Sequence, residues 1–276
     1  MDFLFQRSYR GNLKCAILDW AGTTMDYGVY APAVVFLEVF RRHGVEITME
    51  EARAPMGIHK KMHLREIAET PAVAARWRQV IGREVQAEDI DHMFADFVPL
   101  QLACLGRYAQ LIPGTLKALA DFKARKMVTG STTGYTRAMV DIILQDAKKQ
   151  GYTPDCTIAA DEVPAGRPFP YACWKNAIEL QVWPVEACVK IGDTIPDIGE
   201  GLNAGMWAIG LALSGNEVGL NEQEVRALEP EERLRRTHRA TERLAMAGAH
   251  YVVEGIWDIP PVIDEINRRL AGGEKP

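Results

Sequence analysis

Four short stretches of this chain carry residue types that can transfer a phosphoryl group. Asp19 stands in LDWAGTTMDYG, the hydroxyls of Ser131 and Thr133 in GSTTGYTR, Arg167 in AGRPFP, and Asp193 with Asp197 in GDTIPD. Two carboxylates on different strands can share a hard cation such as Mg²⁺, which takes oxygen ligands and keeps several waters. Hydroxyls and a fixed guanidinium beside them would hold a phosphoryl group. Asp19 is then placed as a nucleophile, with the metal and the arginine neutralising charge during the transfer. Any one stretch also fits an ordinary strand-to-helix turn. Their joint occurrence at successive strand ends makes the reading specific.

Such chemistry needs a frame that brings distant strand ends to one edge. The apolar run Ala16–Ile17–Leu18, entering a turn of small residues, reads as a buried parallel strand. Tyr30 to His43 has helical spacing, with Pro32 in its first turn and Gly44 as a C-cap. Thr48 and Glu51 form a capping-box pattern, Pro55 and Gly57 interrupt it, and a further helix is expected from about Lys60. Helical periodicity then continues from Ala72 to Tyr108. Roughly 75 residues thus pass without a strand, far more than an ordinary connection needs.

Strand and helix signals alternate beyond this point. Strands are expected at 126–130, 156–160, 188–193, in MWAIGLALSG and at 249–253. Helices are expected at 115–125, 135–150, 171–180, 221–243 and 259–270, with a frayed AGGEKP end. The pattern predicts an α/β fold, a Rossmann-like doubly wound parallel sheet with an inserted helical domain. The expected division is a core of residues 1–28 and 106–276 and a helical domain of 29–105. Ligands of such sheets sit beyond the carboxyl ends of the strands.

Composition narrows the class of function. Hydrophobic residues at 47% and charged residues at 25% are ordinary for a soluble globular chain. A formal charge of −5 gives no electrostatic reason to expect nucleic acid. The five cysteines are scattered, without metal-ligand spacing, which favours reduced thiols and a cytoplasmic protein. The start, MDFLFQRSYRGN, does not read as a signal peptide, and no apolar run is long enough to span a membrane.

On these motifs the chain resembles the haloacid dehalogenase superfamily. Its first motif matches Asp19, Trp20, Ala21, Gly22 and Thr23. The resemblance implies Asp19 as nucleophile, with Thr23, Thr133 (or Ser131 as runner-up) and Arg167 on phosphate. It implies Mg²⁺ held by Asp19, the Ala21 carbonyl and Asp193, with Asp197 as a supporting carboxylate, and a helical cap corresponding to the insertion.

One departure is informative. The second Asp of the first motif, which protonates an ester leaving group and activates water, is here Ala21. An ester phosphatase lacking it should lose orders of magnitude in rate. In PMGIHKKMH, Lys60 opens a helix with His63 on the same face. A lysine with a lowered pKa can form a Schiff base with an aldehyde, an electron sink that spares any oxygen from protonation. LDWAGTTMDYG, PMGIHKKMH, GSTTGYTR and DEVPAGRPFP together resemble the branch of the superfamily that cleaves carbon–phosphorus bonds. That resemblance implies phosphonoacetaldehyde as small-molecule substrate, acetaldehyde and phosphate as products, a role in 2-aminoethylphosphonate breakdown, and a homodimer. It places Lys60 at the imine, Met56 and His63 near it, and Tyr135 close to the reacting centre. Lys61 and His59 stay open beside Lys60. The rival readings are an ester phosphatase of the same superfamily and a non-catalytic phosphate-binding protein.

Overall fold

Six parallel strands form one sheet in the order β3-β2-β1-β4-β5-β6. They are β1 (Cys15–Leu18), β2 (Val128–Thr132), β3 (Cys156–Ile158), β4 (Cys188–Gly192), β5 (Trp207–Leu211) and β6 (Tyr251–Val253). The structure, a computed structural model, describes residues 8–276, so the first seven residues of MDFLFQRSYRGN lie outside it. Strand order reverses between β1 and β4, and the crevice there is where doubly wound sheets bind ligands. β1 (CAIL) and β4 (CVKIG) are buried along their whole length because helices cover both faces.

Five helices make up the insertion after β1: α1 (Tyr30–Arg42), α2 (Met49–Arg53), α3 (Lys60–Glu69), α4 (Pro71–Ile81) and α5 (Ala87–Tyr108). Thr48 caps α2 with the capping box its sequence predicts, and α2 stops just before Pro55. The insertion is not a detached lobe. Phe36, Phe40, Trp77 and Phe97 share one apolar cluster with Trp20, Tyr135, Met139 and Ile143 of the sheet side. Complete burial of each such side chain is worth about 1.5–3 kcal/mol, so this shared core holds the insertion against the sheet.

The remaining helices are α6 (Thr115–Ala124), α7 (Arg137–Lys149), α8 (Tyr171–Glu179), α9 (Ile195–Asn203), α10 (Glu222–Ala227), α11 (Pro230–Met246) and α12 (Ile259–Ala271). Some expectations shift. The strand expected at 126–130 becomes β2, two residues later, because Lys126 turns the chain in the left-handed region (φ 60°). Ser131 and Thr132 therefore lie within the strand. The single helix expected at 221–243 is split into α10 and α11, with extended backbone at Leu228 and Glu229 ahead of Pro230. Of AGGEKP, Ala271 closes α12, and beyond it Glu274 accepts an ion pair from Arg269 Nε at 2.7 Å. α5 runs unbroken through the expected junction at residue 105. No helix among the described residues is long and apolar enough to cross a membrane.

Candidate active site

Asp19 leaves β1 directly, its N–H donating to Ile191 O of β4 at 2.9 Å. The chain then turns tightly, with Trp20 O accepting from the N–H groups of Thr23, Thr24 and Met25. Gly22 is left-handed (φ 82°), and a Cβ there would collide with the Asp193 carboxylate, so only glycine permits this approach. Asp193 follows β4. Asp19, Asp193 and Asp197 each offer one oxygen within 4.8 Å of the others, and all three are buried.

The three carboxylates have different duties. Asp193 accepts from Thr23 Oγ1 at 3.1 Å and from the Asn216 N–H at 2.8 Å. Asp197 Oδ1 lies 2.5 Å from Lys190 Nζ and 2.9 Å from Arg167 Nη1, and Oδ2 accepts from Thr194 Oγ1 at 2.5 Å. Asp197, grouped with the metal ligands on sequence, is thus the counter-ion of two cations, which fits a supporting role. Arg167 spreads its fork over the rest: Nη2 to Asp19 Oδ1 at 2.7 Å and to Thr132 Oγ1 at 2.8 Å, and Nε to Glu200 Oε2 at 2.9 Å. Burial works against the arginine charge, but Asp19, Asp197 and Glu200 outweigh it and hold its pKa well above the ordinary value.

Burial, with the neighbouring carboxylates, raises the pKa of Asp193 far above the usual range and raises that of Asp19 despite Arg167. Two carboxyl groups held together with too little positive charge are the donor set a divalent cation satisfies. Ala21 lines the same cleft and has no side-chain acid to offer.

The insertion supplies the opposite wall through Val29, Pro32, Met56, Gly57 and Lys60. Lys60 is only 4% exposed. Its Nζ lies 3.9 Å from Met56 Sδ, 5.2 Å from the Tyr135 ring centre and 5.8 Å from that of Phe36. Burial lowers its pKa to about 8, the nearby Asp19 only partly opposing this. Lys61 is instead half-buried and paired with Asp91, so the geometry separates the two lysines. His59 caps α3, its Nδ1 accepting from the Lys61 N–H, and its ring lies tilted against that of Phe94, 5.7 Å between centres.

The other sequence candidates divide. Thr133 and Tyr135 line the cleft, and the Tyr135 N–H donates to Thr133 Oγ1 at 3.1 Å, leaving that hydroxyl proton for a ligand. Ser131 faces away: its Oγ accepts from Trp20 Nε1 at 3.1 Å and donates to Thr157 Oγ1 at 2.8 Å. Thr23 is fully buried, with its hydroxyl on Asp193 rather than towards a phosphate. His63 is buried behind Lys60, Nε2 donating to Ala52 O at 2.9 Å and its ring 3.8 Å from that of Phe36. Burial and then the Lys60 charge keep its pKa well below the ordinary value, so it is neutral. Lys190 and Glu200 were given no part on sequence, and Thr132 stood there only within the Ser131–Thr132–Thr133 cluster, with no role of its own. Only Lys190 had a signal, a charge inside the apolar strand CVKIG.

Sheet order, the aspartate cluster and the arginine together define a hydrolase of one type, and the family model described as haloacid dehalogenase-like hydrolase matches residues 13–205. The chain belongs to that family. It is 50% identical, over 99% of both chains, to a phosphonoacetaldehyde hydrolase-like protein of Syntrophobacter fumaroxidans. A phosphonoacetaldehyde hydrolase of Bacillus cereus is 43% identical over 93% of this chain and 97% of its own. Among solved structures, the phosphonoacetaldehyde hydrolase-like protein from Oleispira antarctica superposes with a TM-score of 0.97 at 42% identity, over the whole of both chains.

Proposed function

We propose that this protein hydrolyses the carbon–phosphorus bond of phosphonoacetaldehyde to acetaldehyde and phosphate. The observation that carries the reading is a buried, pKa-lowered Lys60 in the same cleft as Asp19, whose motif holds Ala21 in place of an acid. The Lys60 amine adds to the aldehyde, loses water and forms a protonated imine. An Asp19 oxygen attacks phosphorus, and the electron pair of the C–P bond moves into the imine to give an enamine. No leaving oxygen needs a proton, which is why Ala21 suffices where an ester phosphatase requires an acid. Water then hydrolyses the aspartyl-phosphate. Protonation of the enamine carbon and hydrolysis of the imine release acetaldehyde and free the amine.

Arg167 and Thr133 bind the phosphoryl oxygens, and Tyr135 with Met56 screens the amine from water. Asp19, Asp193 and the Ala21 carbonyl would hold Mg²⁺, which when bound supplies positive charge opposite the phosphoryl oxygens. Residues 29–105 act as a cap that admits substrate and excludes water once closed. The reading includes a homodimeric, cytoplasmic enzyme consuming the aldehyde derived from 2-aminoethylphosphonate. Incubation with phosphonoacetaldehyde and borohydride, then peptide mass mapping, should find the reduced adduct on Lys60. Equal release of acetaldehyde and phosphate should accompany turnover. Turnover of phosphate esters with no adduct would favour the ester phosphatase instead.

A further inference from the structure

Arg53, the last residue of α2, is an arginine only 8% exposed that pairs with no carboxylate among the described residues. Its Nη1 donates to Gly28 O at 2.6 Å, to Val29 O at 3.2 Å and to Asn216 Oδ1 at 3.3 Å. Nε and Nη2 are buried without partners. Asn216 answers from the other side, its Nδ2 donating to Arg53 O at 3.3 Å. The guanidinium also lies 5.0 Å over the Tyr30 ring, whose hydroxyl donates to Glu224 of α10 at 2.5 Å. Gly219 backs onto the same side chain, where an added Cβ would stand 3.2 Å from Nε.

The two carbonyls it clasps belong to the joint between β1 and the insertion. Gly28 (φ 81°) and Val29 (φ 56°) are both left-handed there, and for a β-branched residue that conformation is strained and needs an outside hold. The residue it meets across the crevice, Asn216, uses its own N–H to hold Asp193 Oδ2 at 2.8 Å. The same loop is sewn to the nucleophile's turn, Ser214 Oγ donating to Gly22 O at 2.9 Å and Ser214 O accepting from the Gly28 N–H at 2.8 Å. A buried, unpaired charge has no reason to be placed for stability alone. Placed here, it ties the position of the insertion to the carboxylate on the metal side of the cleft.

We infer that Arg53 and Asn216 form a clasp that couples seating of the insertion to cation binding at Asp19 and Asp193. Arg53 is a positioning residue in this scheme and touches neither metal nor substrate. By linkage, whatever loosens the clasp weakens the cation, and cation binding tightens the clasp by the same factor. The inference rests on the cation site of the proposed function but not on the identity of the substrate.

The test is calorimetric titration of the full-length protein with Mg²⁺, without substrate. Arg53→Met and Asn216→Ala should each raise the Mg²⁺ dissociation constant about tenfold, and the double variant should go no further, the signature of one shared interaction. Arg53→Lys, whose ammonium can still reach Gly28 O and Asn216 Oδ1, should recover much of the loss. Hydrogen exchange at Gly28 and Val29 should slow on adding Mg²⁺ in the parent protein and not in Arg53→Met. Unchanged affinities, or effects that add in the double variant, overturn the clasp. If Arg53→Met does not fold, Asn216→Ala and Arg53→Lys carry the same comparison. A parent protein that binds no Mg²⁺ would refute the cation site itself, a result distinct from variants that bind it as tightly as the parent.

Discussion

The guanidinium of Arg167 reaches the carboxylate of Asp19 directly, Nη2 to Oδ1 at 2.7 Å, across 148 residues of sequence. The same side chain is held in place by Asp197 and Glu200, so its fork is fixed before any ligand arrives. A preorganised donor stabilises developing charge without reorganising during the reaction.

Arg167→Lys keeps the charge but loses this geometry, because a single ammonium cannot face Asp19, Asp197 and Glu200 together. Phosphate release should fall about a hundredfold in kcat, the loss expected for one oxyanion donor. A drop of less than threefold would count against the assigned role.

Imine formation requires the neutral amine of Lys60, whose pKa of about 8 lies below the ordinary lysine value. Single-turnover trapping by borohydride should therefore be slow at pH 6, rise through pH 8 and level off above it. Lys60→Arg should trap nothing. A flat profile between pH 6 and 9.5 would contradict the lowered pKa.

The same burial has a cost in stability. Below pH 8 Lys60 is protonated in both folded and unfolded chains, and the folded state carries the penalty for burying that charge. Lys60→Met should thus raise unfolding free energy at pH 7 by about 3 kcal/mol, judged from the shift of the amine. The difference should shrink as pH rises from 8 towards 10.5, where the unfolded lysine also loses its proton. Urea denaturation at pH 7 and 10 measures both.

Ala21→Asp would put a carboxyl where an ester leaving group needs its acid. Hydrolysis of an alkyl phosphate such as glycerol phosphate, whose alkoxide cannot leave unprotonated, should rise at least about tenfold, a modest share of what general acid catalysis can supply. Carbon–phosphorus cleavage should fall, since the new side chain projects into the same cleft. No gain on the ester would mean that something besides Ala21 withholds phosphatase activity.

Asp193 has a carboxyl pushed well above the usual range by burial and then by Asp19 and Asp197. A carboxyl with a raised folded pKa stabilises the fold at low pH and loses that contribution as pH rises. Mg²⁺ should therefore raise Tm more at pH 8 than at pH 5. Asp193→Asn should be the more stable protein without metal at pH 8, and its Tm should not respond to Mg²⁺. Differential scanning calorimetry with and without chelator reads both effects.

Local pattern in the sequence by itself determined much of the frame and the candidate residues of the site. The order of strand ends, the alternation that makes a parallel sheet, the Thr48 capping box, and the identities Asp19, Ala21, Arg167 and Asp193 depend on residue type and short-range spacing. Contacts between segments far apart in the chain were decided only by the tertiary structure. Thr23 and Ser131 have the right hydroxyls, yet the turn gives one to Asp193 and the strand gives the other to Trp20 and Thr157. Thr132 and Glu200 carry no local mark, because their work is to hold Arg167 from other elements. Lys60 and Lys61 are adjacent and equal in composition. What separates them is that the helix face of Lys60 turns into Met56, Phe36 and Tyr135, where water cannot solvate its charge, while Lys61 turns out to Asp91.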